Sequence, residues 1–179
     1  MASRRILGID PGTRLVGWGV LEESAGSLCR VASGTWRLGE RKPLPERLVV
    51  LRNNLVGALK EWKPTEVALE SAFMGKNARS ALSLGEARGV VIVTVAEKAL
   101  PLIEIPPALV KRRVAGAGNA SKELIAHLVA AQVAHCTEFG SLDESDALAV
   151  ALCAFLEKSG NIGHDRGSGV PLPPGAELQ

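Results

Sequence analysis

Short apolar runs that end in turn residues open the chain and predict three β-strands. The first run covers residues 5–10, rich in isoleucine and leucine, and Pro11-Gly12 ends it with a tight turn. Two further runs lie at about 17–22 and 28–38. Because tight turns join the three runs, we expect them to pair as antiparallel neighbours.

After the third strand, apolar residues recur at helical spacing, alternating with two more short strands. The expected bounds are strands at 66–70 and 102–105 and helices at about 43–63, 78–100, 108–114, 121–134 and 143–156. Residues 90–95 are rich in β-branched side chains, which locally favour a strand. A stripe of small residues at helical spacing through 82–96 favours a helix instead, and we predict a helix there.

The order of these elements predicts an α/β fold in which helices flank a five-stranded mixed sheet. With 179 residues, 46% of them hydrophobic, the chain can bury one core, so one domain is expected at 1–157. Residues 158–179 are rich in glycine, proline and polar residues and are predicted to form a disordered tail.

Composition narrows the class of protein. The net charge of +2 neither requires nor excludes nucleic acid as a partner. Cys29, Cys136 and Cys153 form no Cys-x-x-Cys pair, which argues against a disulfide framework or a zinc site and fits a reducing cytosol. Because the chain has neither a signal-peptide pattern nor an apolar run of membrane-spanning length, we expect a soluble, cytoplasmic protein.

Two carboxylates stand at predicted strand ends. Asp10 ends the first strand, where a rigid carboxylate suits a metal ligand, yet Asp-Pro-Gly is also a common turn sequence. Taken alone, the turn interpretation of Asp10 is favoured. Glu70 ends the fourth strand, and alone it is explained as a solvated strand terminus. If the two strands are parallel neighbours, however, both carboxylates leave the same edge of the sheet.

Two further carboxylates open the last predicted helix. Asp143 and Asp146 are three residues apart, a spacing that places both on one helix face. Acids in a first turn also complement the helix dipole, and Ser141 with Glu144 has the capping-box pattern. That explanation does not account for all four acids together. Oxygen ligands without cysteine favour Mg²⁺ or Mn²⁺, and two such ions form a centre that cleaves phosphodiesters.

Positive charge clusters between residues 111 and 122, around the flexible segment 116–118. Such a loop can follow a phosphate backbone, although a run of basic residues is equally often a solvated surface. Gly75, Lys76 and Asn77 favour an exposed loop, so Phe73 is predicted to lie in that loop rather than in the core. The candidate DNA-binding residues are Phe73, Lys76, Arg79, Lys111, Arg112, Arg113 and Lys122.

Five segments in order along the chain carry a resemblance to a known family. They are Gly-Ile-Asp-Pro-Gly at 8–12, Leu-Glu-Ser-Ala-Phe at 69–73, Pro-Pro-Ala-Leu-Val-Lys at 106–111, Gly-Ala-Gly-Asn-Ala-Ser-Lys at 116–122 and Asp-Glu-Ser-Asp-Ala-Leu-Ala at 143–149. The ordered set resembles the RuvC family of Holliday junction resolvases over about residues 4–156. The resemblance implies an RNase H-like fold. Residues 144–145 are more polar than is usual in the family.

The resemblance also implies the site and the reaction. The four catalytic acids, binding two Mg²⁺ ions per subunit with Mn²⁺ as a possible substitute, would be Asp10, Glu70, Asp143 and Asp146. Lys122 would stabilise charge in the transition state, Lys111 would lie near the scissile phosphate, and Phe73 would stack at the junction crossover. The implied product is a pair of symmetric nicks with 5′-phosphate ends. Such paired cuts imply a homodimer, with the helix at 78–100 as the candidate interface, although that helix could equally pack on its own sheet. The branch-migration proteins RuvA and RuvB are the implied partners.

Two other functions stay open on the residues alone. The segment 8–13, followed by a glycine-rich strand, also resembles the phosphate-binding hairpin of actin-like ATPases and sugar kinases, which need two such domains. The fold could also serve a junction-binding module without catalysis, in which the acids are structural.

Overall fold

The protein is described by a computed structural model over residues 3–24, 26–71 and 78–159. Within these ranges the chain forms five strands and five helices. The strands are β1 (Arg5–Asp10), β2 (Leu15–Ser24), β3 (Ser27–Arg37), β4 (Glu66–Glu70) and β5 (Leu102–Ile105). The helices are α1 (Leu44–Trp62), α2 (Ala78–Glu97), α3 (Pro107–Ala115), α4 (Lys122–Gln132) and α5 (Leu142–Ser159).

The strands form one mixed sheet in the order β3-β2-β1-β4-β5. β1 pairs antiparallel with β2, and β2 pairs antiparallel with β3, as the tight turns predict. β4 pairs parallel with both β1 and β5. The predicted α/β architecture with a five-stranded mixed sheet is therefore confirmed, and β1 and β4 end at the same edge of the sheet.

Helices cover both faces of the sheet, and the alternation of side chains along β1 divides the core in two. Leu7 and Ile9 point to the face covered by α1 and α2. Ile6 points to the opposite face, where it packs with residues of α3, α4 and α5. Asp10 has the same parity as Ile6, so its side chain leaves the sheet on the face of α5.

Helix α5 lies unusually close to the sheet because glycines face it. A Cβ atom on Gly8 would lie 2.1 Å from the carbonyl oxygen of Ala147, and one on Gly17 would lie 1.9 Å from that of Asp143. Gly17 pairs with Asp10 across the two strands. The missing side chains therefore let the first turns of α5 approach the sheet beside Asp10.

The structure confirms the helix through residues 90–95 and changes some boundaries. Val91 and Val95 are buried toward the sheet, so their β-branched side chains serve one face of α2. β2 begins at Leu15, two residues before the predicted start. α5 extends to Ser159, past the predicted domain boundary at 157, and most of the predicted tail lies outside the described residues.

Cys29, Cys136 and Cys153 all lie in the described ranges, and none is in a disulfide. Among the helices described, none combines the length and apolar character needed to cross a bilayer.

Candidate active site

The ends of β1 and β4 bring two carboxylates side by side. The parallel register pairs Ile9 with Leu69, so the next residue along each strand is an acid, Asp10 or Glu70. Ala68 belongs to the same core cluster as Ile6, which places Glu70 on the α5 face together with Asp10. β1 and β4 are parallel neighbours, which is the arrangement in which both carboxylates leave the same edge of the sheet.

Helix α5 adds the third carboxylate. Asp146 lines a cavity of about 210 Å³ together with Asp10 and Glu70. Asp143 lies one turn earlier on α5 and is not among the residues that line the cavity, although its charge acts on Lys122. The structure thus brings three of the four predicted acids into one cavity and places the fourth beside it.

Two lysines from different helices complete the cavity. Lys111 extends from α3, and Lys122 is the first residue of α4. The Ser121 side chain caps α4 by accepting a hydrogen bond from the Leu124 N–H at 3.2 Å. The Lys122 ammonium group donates a hydrogen bond to the Asp146 carboxylate. The remaining wall is apolar and is formed by Pro107, Val110 and Ile125.

Burial and mutual repulsion perturb the titration of these groups. Burial, followed by the charges of Glu70 and Asp146, raises the pKa of Asp10 to about 8. Burial also raises the pKa of Glu70, with a smaller contribution from the Asp146 charge, although a hydrogen bond from Asp10 opposes the shift. The hydrogen bond to Asp146 raises the pKa of Lys122 and so favours its charged form. With all three carboxylates ionised, the cavity holds more negative charge than the two lysines neutralise.

The donor set of this cavity fits a hard divalent cation. Carboxylate oxygens are the ligands preferred by Mg²⁺ and Mn²⁺, and among the described residues that line the cavity there is no cysteine or histidine, which argues against zinc. In the part of the chain that the structure describes, no three acidic, histidine or cysteine side chains are already spaced to hold a metal ion. The Lys122 ammonium group occupies one oxygen of Asp146, Oδ2, so an ion could be bound through the other oxygen or through Oδ2 once the ammonium group withdraws.

The capping pattern at the start of α5 is confirmed in part. The Ser141 hydroxyl accepts a hydrogen bond from the Glu144 N–H at 3.1 Å. The Glu144 carboxylate instead accepts from the Gly140 N–H at 2.7 Å and from the Ser33 hydroxyl at 2.6 Å. Ser141 and Glu144 therefore both accept hydrogen bonds from backbone N–H groups at the start of α5. Sequence reasoning missed the contact with Ser33 because the two residues are 111 positions apart.

The other predicted DNA-binding residues lie away from the cavity or outside the described ranges. Arg113 forms an ion pair with Glu157 in the last turns of α5, at the opposite end from Asp146. Arg112 is exposed on α3, and Arg79 is exposed at the start of α2. Phe73 and Lys76 lie outside the described residues.

Comparison with known proteins gives one consistent result. Residues 6–154 match the family model described as crossover junction endodeoxyribonuclease RuvC. A protein of that description from Ruegeria pomeroyi is 43% identical over 149 residues, which are 83% of this chain and 89% of the relative. One from Dehalococcoides mccartyi is 42% identical, covering 87% and 93%. The structure of Thermus thermophilus RuvC in complex with a Holliday junction substrate superimposes with a TM-score of 0.78 at 27% identity, covering 87% of this chain and 94% of that one.

Proposed function

Since this chain belongs to the RuvC family of crossover junction endodeoxyribonucleases and is a Holliday junction resolvase with an RNase H-like fold, we propose that the cavity between β1, β4 and α5 is its active site. The observation that carries the proposal is that Asp10, Glu70 and Asp146 line one cavity with two lysines. The comparisons support neither the ATP-binding domain nor the junction-binding module without catalysis.

The acids are assigned to metal binding. Asp10, Glu70 and Asp146, with Asp143 one turn away, would hold two Mg²⁺ ions per subunit, with Mn²⁺ as a substitute. The bound metal supplies an activated water and stabilises the departing 3′ oxygen. Attack of water on phosphorus breaks the bond to the 3′ oxygen and leaves a 5′ phosphate. Burial of Asp10 keeps its carboxylate fixed in orientation at the strand end.

The lysines are assigned to the phosphate. The hydrogen bond to Asp146 raises the pKa of Lys122 and favours its charged form, and Lys111 lines the same cavity. A phosphate entering the cavity would take the Lys122 ammonium group from Asp146, which frees the second carboxylate oxygen, Oδ2, for metal binding. Two ammonium groups then stabilise the charge that develops on the phosphate oxygens in the transition state.

Paired symmetric nicks require two active sites, and the outer face of α2 supports a homodimer. The predicted stripe of small residues is exposed. Leu82, at one end of the stripe, is 66% exposed, and Val93, next to the stripe residue Ile92, is 55% exposed. A Cβ atom on Gly85 or Gly89 would meet no described residue within 4 Å outside the nearby backbone of α2, so a partner can approach the helix there. Since the opposite face of α2 packs on the sheet, the exposed face is free to bind a second protomer.

Leu82→Glu is expected to produce a monomer. A charge on this apolar face should raise the dimer dissociation constant at least about tenfold, which corresponds to roughly 1.4 kcal/mol. Light scattering measures the oligomeric state, and junctions carrying a single nick should accumulate because the two cuts are no longer coupled. Val49→Glu on α1, a site 58% exposed, is the matched control and should leave the dimer intact. A Leu82→Glu protein that remains dimeric would place the interface elsewhere.

The remaining assignments rest on the family. Phe73, Lys76, Arg79, Arg112 and Arg113 are proposed to contact the arms or the crossover of the junction. A branch-migration complex of RuvA and RuvB is the proposed partner, and the cytoplasm is the proposed compartment.

Incubation with a synthetic four-way junction and a matched linear duplex tests the proposed function. With Mg²⁺ the junction should receive symmetric nicks with 5′-phosphate ends, and the duplex should stay intact. Without a divalent ion neither substrate should be cut. Equal cutting of both substrates, or cutting of the junction in a chelator, would contradict the proposal.

A further inference from the structure

Contacts centred on Glu144 hold the start of α5 to the edge strand β3. The carboxylate is buried, with the residue 7% exposed. One oxygen accepts a hydrogen bond from the Ser33 hydroxyl at 2.6 Å, and the other accepts from the Gly140 N–H at 2.7 Å. The Arg30 guanidinium group lies 3.8 Å from the first oxygen. A single side chain therefore joins β3, the loop before α5 and the first turn of α5.

Neighbouring contacts restrict the same turn. The Ser141 and Thr35 hydroxyls are hydrogen-bonded at 2.7 Å, which adds a second link to β3. On the β2 side, Gly17 leaves no space between the sheet and the Asp143 carbonyl group. The first turn of α5 thus has little freedom to slide along the sheet or to lift from it.

The position of Glu144 in the chain gives these contacts a consequence for the cavity. Glu144 lies between Asp143 and Asp146, so all three belong to one stretch of helix. Its side chain is bonded to β3, while Asp146 lines the cavity with Asp10. Because helix backbone is stiff, a shift of this turn displaces Asp146, and misplacement by about 1 Å can cost roughly 100-fold in rate.

We propose that Glu144 is a positioning residue that holds Asp143 and Asp146 in place for metal binding, through its bonds to Ser33 and Gly140. This inference rests on the proposed function, because it takes Asp146 as a metal ligand. The two acceptor oxygens matter, since each is bonded to a different element. Glutamine can reproduce both bonds, with its amide oxygen accepting from Gly140 and its NH₂ group donating to Ser33, whereas alanine reproduces neither.

Glu144→Ala is expected to lower kcat for junction cleavage about 10- to 100-fold, as removal of groups that orient metal ligands does. The Mg²⁺ concentration for half-maximal rate should rise by roughly tenfold, and the Mg²⁺-induced increase in Tm should shrink. Junction affinity measured in a chelator should stay within about twofold, because Glu144 is directed away from the cavity. Glu144→Gln should restore kcat and the Mg²⁺ response to near wild type.

Glu66→Ala is the matched control. Glu66 is equally buried at 7% exposed and binds Arg4 at 2.8 Å, but it lies at the opposite end of β4 from Glu70. Its removal should lower the Tm while kcat and the Mg²⁺ midpoint stay near wild type. All variants are compared at a temperature at which circular dichroism shows them folded. If Glu144→Ala does not fold, Ser33→Ala decides, with an expected rate loss of about threefold and a higher Mg²⁺ midpoint.

Asp146→Asn distinguishes a failure of the proposed function from a failure of the positioning role of Glu144. Cleavage by Asp146→Asn at the wild-type rate would overturn the proposed function itself. If Asp146→Asn is inactive but Glu144→Ala lowers only the Tm, as Glu66→Ala does, the positioning role alone is overturned. For the Ser33→Ala protein, a wild-type rate and Mg²⁺ midpoint would do the same.

Discussion

Asp10→Asn abolishes junction cleavage, with an expected loss of at least about 10³-fold, while the protein still binds the junction. The carboxylate lies at the end of β1, lines the cavity with Glu70 and Asp146 and is affected by the charges of both, so it is placed to contact ions held by either neighbour. An amide keeps the shape of the side chain but lacks the charge that a divalent cation requires. Binding should be unchanged or tighter, because one negative charge facing the DNA backbone is removed.

Cleavage and binding are measured on the same four-way junction, with cleavage in Mg²⁺ and binding in a chelator. Glu22→Gln is the control, since it removes one negative charge from an ion pair with Arg5 at the other end of the sheet. The control should cleave at the wild-type rate. If the Asp10→Asn protein cleaves as fast as the control, Asp10 is a turn residue only, which is the interpretation that the sequence Asp-Pro-Gly favours on its own.

The sequence predicts the parts of this site that depend on local pattern. Apolar runs that stop at Asp10 and Glu70 identify two strand ends, and the spacing of Asp143 and Asp146 identifies one helix face. That the first two acids are neighbours depends on the parallel register of β1 and β4, which no local pattern encodes. The resemblance to a family supplies this information before the structure does.

Contacts between distant segments lie beyond what the sequence predicts. Arg113 lies in a basic cluster typical of a DNA-binding surface, yet its guanidinium group is paired with Glu157, 44 residues later. The capping box at 141–144 predicts a local hydrogen bond for Glu144, and one carboxylate oxygen accepts from the nearby Gly140 N–H, but the other oxygen is bonded to Ser33 on the edge strand. Both side chains are long enough to reach several partners. The packing of α5 on the sheet determines which partner each side chain contacts.

The substitution that removes activity should also stabilise the metal-free protein. The pKa of Asp10 is 3.8 in the absence of the fold and about 8 within it, because burial and two neighbouring carboxylates disfavour its charge. Below the lower of these values the group is protonated in both states and has no effect. Between them the folded protein keeps a proton that the unfolded chain releases, so the free energy of unfolding falls as pH rises, by up to about 1.4 kcal/mol per pH unit.

The amide side chain in the Asp10→Asn protein cannot ionise, so this variant does not lose this stability as the pH rises. Its free energy of unfolding in a chelator should equal that of the wild type near about pH 4 and exceed it by on the order of 4 kcal/mol at about pH 7. Urea unfolding followed by tryptophan fluorescence at several pH values measures the difference. Mg²⁺ should narrow the gap, because an ion that binds the folded wild type stabilises it by an amount that grows with the logarithm of the ion concentration above its dissociation constant.

A variant less stable than wild type at neutral pH, or a gap that does not depend on pH, would contradict this expectation. Either result would mean that the Asp10 carboxylate is held by favourable contacts rather than forced among like charges. If the gap opens with pH as expected, the acid that costs the fold stability is the same one that the reaction needs. An amide at position 10 would therefore stabilise the enzyme but remove its activity.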